Sequence, residues 1–110
     1  MLTRDQILAA GDASARAVAP VPVPEWGGTV YVRLLDLPQA LAWSGEQDTA
    51  RKAALLVRFA VADEEGNPLF TDEDLDWLAR QPQLTLQRVS VAALEHNGLT
   101  RQQGQAAAGN

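Results

Sequence analysis

The residues best equipped for chemistry are concentrated between Asp63 and Asp76, where seven of the chain's fourteen carboxylates fall with no lysine or arginine among them. Carboxylates at that density are the raw material of calcium sites and of general acid–base pairs. An EF-hand loop started at Asp63 puts Pro68 where glycine is obligatory, ends on Asp74 in place of glutamate, and misplaces Gly66. The pattern fails. A solvated turn running into a helix N-terminus, whose positive dipole favours Asp72, Glu73 and Asp74, accounts for the same residues. Pairs such as Glu64 and Asp74 have nothing in their spacing that sets a separation or a cleft, so they do not point to acid–base catalysis.

The other candidates are thinner. His96 is the single histidine; it lies between Glu95 and Asn97 at an expected helix end, and no G-x-S-x-G element exists to make it part of a triad. A helix C-terminus welcomes an imidazole, so capping is its expected role. Gly27-Gly28 matches neither a dinucleotide fingerprint nor a phosphate loop with its Gly-Lys pair. The chain has no cysteine, which removes disulfides, thiolate nucleophiles and cysteine-type zinc sites. The expectation is a protein that catalyses nothing and holds no metal or cofactor.

Charge narrows the partners. Nine lysines and arginines against fourteen aspartates and glutamates give a formal net charge of −5, the wrong sign for a phosphate backbone or an anionic membrane. Two helices broken at Pro82 superficially suggest a helix-turn-helix, yet the second carries Arg88 as its one cation and the first is acidic. The opening Met1-Leu2-Thr3-Arg4-Asp5 lacks the build of a signal peptide, and no apolar run nears the ~20 residues needed to span a bilayer. These features fit a soluble cytoplasmic protein that binds neither nucleic acid nor membrane.

With 110 residues, one domain is expected, burying roughly 60–65% of its unfolded surface. Thr3 caps a short N-terminal helix through Ile7 and Leu8, and 11–24 reads as a flexible or extended linker ending in Pro20-Val21-Pro22-Val23-Pro24. Gly27-Gly28 predicts a two-residue turn joining a strand at about 21–26, held to a sheet edge by its prolines, to one at about 29–34. Asp36 and Pro38 open a helix that Ser44-Gly45 ends, and a second helix runs from about Asp48 to Ala62, its alanines inviting a close helix neighbour. Thr71 and Asp74 resemble a capping box, with Phe70 and Leu75 as its hydrophobic staple. The last helix spans Pro82 to Asn97, with Leu86, Val89, Ala93 and Leu94 on one face and Gly98 as its cap; 100–110 is expected to be disordered. The fold class is α+β: a short N-terminal β-hairpin packed against three to four α-helices, mostly helical, in a single domain over 1–99.

Once these segments are assigned, apolar surface remains: Trp26 beside the hairpin turn, Trp43 near the end of a short helix, and Leu69, Phe70 and Trp77 around the acidic turn. Large apolar residues usually enter the core. A tryptophan next to Gly-Gly on a short hairpin is hard to cover within one chain, which makes it a candidate interface anchor. Trp26, Leu69, Phe70 and Trp77 are therefore the candidate partner-binding residues.

Three blocks also carry a resemblance. Val23-Pro24-Glu25-Trp26-Gly27-Gly28-Thr29-Val30-Tyr31-Val32-Arg33, the run Asp63 to Leu75 followed by Trp77-Leu78, and Ala93-Leu94-Glu95-His96-Asn97-Gly98-Leu99 resemble, in the same order, segments of the small tail assembly chaperones of long-tailed, siphovirus-type bacteriophages. Leu2 to Leu8 fits the family's opening, while 13–24 and the Pro38–Gly45 helix depart from it. The resemblance implies a non-enzymatic protein of phage or prophage that binds the tape-measure protein and helps recruit tail-tube subunits in the host bacterial cytoplasm, with self-association into a homo-oligomer, and that is absent from the mature virion. Many such proteins have a longer form made by frameshifting. The alternative is a permanent structural component of the tail or head–tail connector.

Overall fold

Valine and proline alternate from Pro20 to Val23, and the fold uses the alternation: Val21 and Val23 are buried while Pro20 and Pro22 face outward. The computed structural model describes residues 1–99; the expected disordered segment 100–110 lies outside the described residues. Strand β1 (Val18–Val23) pairs antiparallel with β2 (Gly28–Arg33), Val18 opposite Arg33 and Val23 opposite Gly28. β1 forms the sheet edge, the position that tolerates its missing amide donors. The expected strands at 21–26 and 29–34 are thus displaced toward the N-terminus. Pro24–Trp26 form a 3₁₀ turn and Gly27 alone takes a positive φ, 80°, so the connection is longer than a two-residue Gly-Gly turn. Pro24 at the first position of that turn ends the strand early.

A third strand, β3 (Val61–Ala62), completes the order β1-β2-β3 and was not foreseen. The helix expected to continue to Ala62 stops at Ala60, and Val61 turns extended to pair with Val32. Two apolar residues after a helix carry no period of their own, and sheet pairing overrides their helical neighbourhood.

The five helices are α1 (Arg4–Ala15), α2 (Leu37–Gly45), α3 (Thr49–Ala60), α4 (Leu75–Ala79) and α5 (Gln83–His96). The architecture is α+β and mostly helical, as the sequence implies. α5 lies across β1 and β2, α3 touches β2, α4 and α5, and α2 rests on α3. Their shared core is Val21, Val23, Val32, Leu56, Val57, Val61, Leu78, Leu86 and Val89, with alanines Ala54, Ala60 and Ala93 where helices approach closely. Caps fall where side chains dictate: Asp36 and Gln39 form a reciprocal capping box for α2, and Asp48 accepts from the Arg51 amide to start α3. At the other end of α5, Leu99 N donates to Leu94 O and Gly98 N to Glu95 O, with Gly98 at φ 73°, a Schellman closure.

α1 departs from expectation. In place of a short helix followed by a linker from residue 11, it runs twelve residues to Ala15, opened by a complete Thr3–Gln6 capping box. Four alanines after Leu8 outweigh the single Gly11. It contributes no buried residue.

Asn97 joins the two ends of the fold. Its Oδ1 accepts from Leu35 N at 2.8 Å, and its Nδ2 donates to Arg33 O at 3.2 Å and Ala93 O at 2.8 Å, tying the exit of β2 to the end of α5. Replacing Asn97 with alanine takes this partner from the Leu35 amide and the Arg33 carbonyl, so N97A is expected to lose about 1–3 kcal/mol in urea unfolding. Unchanged stability would show that water replaces the tether.

Candidate functional site

The structure brings three of the four candidate partner-binding residues together. The Pro24–Trp26 turn carries Trp26, the loop after β3 carries Phe70, and α4 carries Trp77. Trp26 and Phe70 meet edge to face with centroids 6.2 Å apart, and Phe70 meets Trp77 at the same distance, tilted by 30°. Such pairs contribute about 0.5–1.5 kcal/mol each beyond burial. Trp26 and Phe70 are half-buried against the core, whereas Trp77 keeps 46% of its surface exposed. Leu69, the fourth, precedes Phe70 and is 51% exposed. The row therefore grades from core to surface. Trp43 goes elsewhere, packed on the core beneath Lys52, whose Nζ lies 4.9 Å from its ring centroid.

Three polar devices aim the row. Glu25, beside Trp26, reaches α5: its carboxylate accepts from Arg88 Nε at 3.3 Å and from Thr85 Oγ1 at 3.4 Å. Its own backbone amide, then Arg88 and Thr85, hold its pKa below the usual carboxylate range. Asp63 shapes the turn before Phe70, accepting from Asn67 N at 3.0 Å and Glu65 N at 2.9 Å. The Asn67 amide foremost lowers the Asp63 pKa. Gly66 in that turn has φ 89°, and a Cβ there would stand 3.1 Å from Arg16 O. Finally, Asp74 Oδ2 accepts from Thr71 N at 2.8 Å, the reach-back half of the expected capping box; the Thr71 hydroxyl turns toward Asp74 as well, at 3.4 Å. Phe70 makes its ring contacts with Trp26 and Trp77.

The chemically equipped residues stay dispersed. No group of three or more histidines and carboxylates among the described residues is placed to hold a metal. Asp72 pairs with Arg58 at 2.9 Å and Glu46 with Arg51 at 3.1 Å, exposed or partly exposed contacts of small energetic weight. His96 Nε2 lies 3.4 Å from Ala17 O, where α1 meets β1, rather than in a cleft. No described helix is long and apolar enough to cross a membrane.

A second feature was only half legible. Ala50 and Ala53 of α3, Leu78 and Ala79 of α4, and Leu86 and Ser90 of α5 line a groove of about 500 Å³. The alanines of α3 announced a close neighbour, and they face α4 and α5 across this groove. Nothing in the sequence indicated that the contact is left open.

Two substitutions separate the row's two ends. F70A is expected to lose ~2–3 kcal/mol in urea unfolding, less than a fully buried phenylalanine, while W77A, giving up one ring contact and a half-exposed indole, loses about 1 kcal/mol. Equal losses would make Trp77 a packing residue. The Asp63 carboxylate, with its folded pKa lowered, contributes stability that is complete above its unfolded pKa and disappears as pH falls through the folded value. The wild type should thus melt above D63N at neutral pH, with the gap closing in acid; a gap independent of pH would assign it to shape rather than charge.

No family model and no curated protein matches this chain. Among solved structures, the bacteriophage HK97 tail assembly chaperone superposes with a TM-score of 0.55 over 70% of this chain and 82% of that one, at 17% sequence identity. At that identity the likeness speaks to architecture, and the conclusion is that this chain has the fold of a bacteriophage tail assembly chaperone.

Proposed function

We propose that this chain is a phage tail assembly chaperone that binds the tape-measure protein and helps recruit tail-tube subunits during tail morphogenesis. The observation that carries the reading is its shared fold with the HK97 tail assembly chaperone. The proposed contact is the row ending in Leu69 and Trp77, with Trp26 and Phe70 behind it as support. An exposed tryptophan braced by a second ring loses little conformational freedom on binding, which is the economy of an interface anchor. Asp72, Glu73 and Asp76 rim the same segment, so the favoured partner surface is an apolar helical stripe flanked by basic residues. Repeated weak contacts along an elongated partner suffice, because each bound copy raises the effective concentration of the next. The protein acts in the host cytoplasm, performs no catalysis, and leaves before the virion is complete.

Co-expression with the tape-measure protein of the same phage or prophage tests this directly. A soluble complex is expected that fails to form without this chain. W77A should weaken it by roughly thirtyfold, the ~2 kcal/mol of a hot spot, while leaving the fold intact. Absence of a complex, together with recovery of the chain from purified virions, would overturn the proposal in favour of a permanent tail or connector component.

A further inference from the structure

The described residues hold two asparagines, and only one of them can close a ring on its own backbone. An asparagine side chain is lost when the N–H of the following residue attacks its carbonyl carbon, a reaction that a following glycine, having no Cβ, obstructs least. Asn67 precedes Pro68, which has no N–H to give up. Asn97 precedes Gly98, the single Asn-Gly pair in the chain.

The same Asn97 is the tether between β2 and α5, and two restraints hold the reaction off. Its bonds to Leu35 N, Arg33 O and Ala93 O fix the side-chain amide, while Gly98 N is engaged with Glu95 O at 3.1 Å in the Schellman closure. Asn97 also sits at φ −86° and ψ 1°. A five-membered ring needs Gly98 N nearly eclipsed with the Asn97 Cβ, so the Cα–C bond must rotate and the closure must open first. Gly98 and Leu99 lie exposed at the end of α5, and releasing the last turn of a helix costs far less than unfolding the domain.

We propose that Asn97-Gly98 is a self-modifying site, at which transient opening of the α5 end converts the asparagine to aspartate and isoaspartate and so releases the β2–α5 tether for good. Gly98 N gives its proton to a solvent base and bonds to Asn97 Cγ; the Cγ–Nδ2 bond breaks and Nδ2 leaves as ammonia. Water then opens the succinimide at either carbonyl. One amide and one water are consumed, one carboxylate and one ammonium are formed, and nothing is oxidised or reduced. The product does not restore the tether. A carboxylate has no N–H to offer Arg33 O, and it brings negative charge to the C-terminal end of α5, where the helix dipole opposes it. Isoaspartate also lengthens the backbone by one methylene inside the Schellman turn. The site thus limits the lifetime of the junction in proportion to how often the α5 end opens, and it does so whatever the chain binds.

The experiment holds the full chain at neutral pH and physiological temperature for several weeks, folded and in guanidinium chloride, followed by trypsin, which releases the 89–101 peptide. A gain of about 1 Da is expected at Asn97, with isoaspartate as the main product. The folded chain should react roughly tenfold more slowly than the denatured one, because the step waits on opening. N97Q, whose longer side chain has to close a six-membered ring, should gain nothing at that position. N97D, which supplies the aspartate product directly, should melt below the wild type and exchange its Leu35, Gly98 and Leu99 amide hydrogens faster. An Asn97 that stays unmodified in the folded chain, equal rates in the folded and denatured chains, or an N97D variant that melts and exchanges like the wild type would each overturn the proposal.

Discussion

The core of this protein is built from small side chains, and the rest of the structure follows from that constraint. Its largest fully buried residues are Leu78 and the valines Val23, Val32, Val57, Val61 and Val89, with alanines at the helix contacts. A layer of that thickness lets α3 and α5 lie close to the sheet and leaves no interior space for an indole or phenyl ring. Close-packed interiors do not accommodate extra volume without strain. The rings are therefore displaced to the margin, and Trp26, Phe70 and Trp77 stack there in sequence from half-buried to exposed. The aromatic surface is a consequence of how the core packs.

Polar side chains do the work of alignment that a thicker core would otherwise do. Asn97 binds the end of β2 to the end of α5, Glu25 binds the hairpin loop to α5, and Asp63 organises the loop that delivers Phe70. Asn97 and Glu25 each join a loop to a regular element, whereas the bonds of Asp63 close its own turn. Net contributions of this kind are modest individually, about 1 kcal/mol, but they specify geometry. The Gly66 backbone against Arg16 and the His96 ring near Ala17 O serve the α1 junction in the same way.

Two apolar features are left open on this fold, the aromatic row and the groove between α3, α4 and α5. The net charge of −5 disfavours nonspecific attachment to nucleic acid. The exposed row and the uncharged groove differ in chemistry, one ring-rich with an acidic rim and the other lined by alanines and neutral polar groups.

Local chemistry made much of this readable in one dimension. The caps at Thr3, Asp36 and Asp48, the Schellman glycine at Gly98, the confinement of a proline-bearing strand to an edge and the buried face of α5 all depend on neighbours within a few residues. So does the general placement of Trp26, Leu69, Phe70 and Trp77 beside turns. What the sequence could not decide depended on partners far along the chain. Val61 left its helix because Val32 offered a strand, the hairpin register was set by which valines reached the core, and the three rings met because loops some forty residues apart converged. Whether α1 and the α3–α5 groove were covered was likewise invisible to helical periodicity, because periodicity reports that a face is apolar and only tertiary structure decides what, if anything, lies against it.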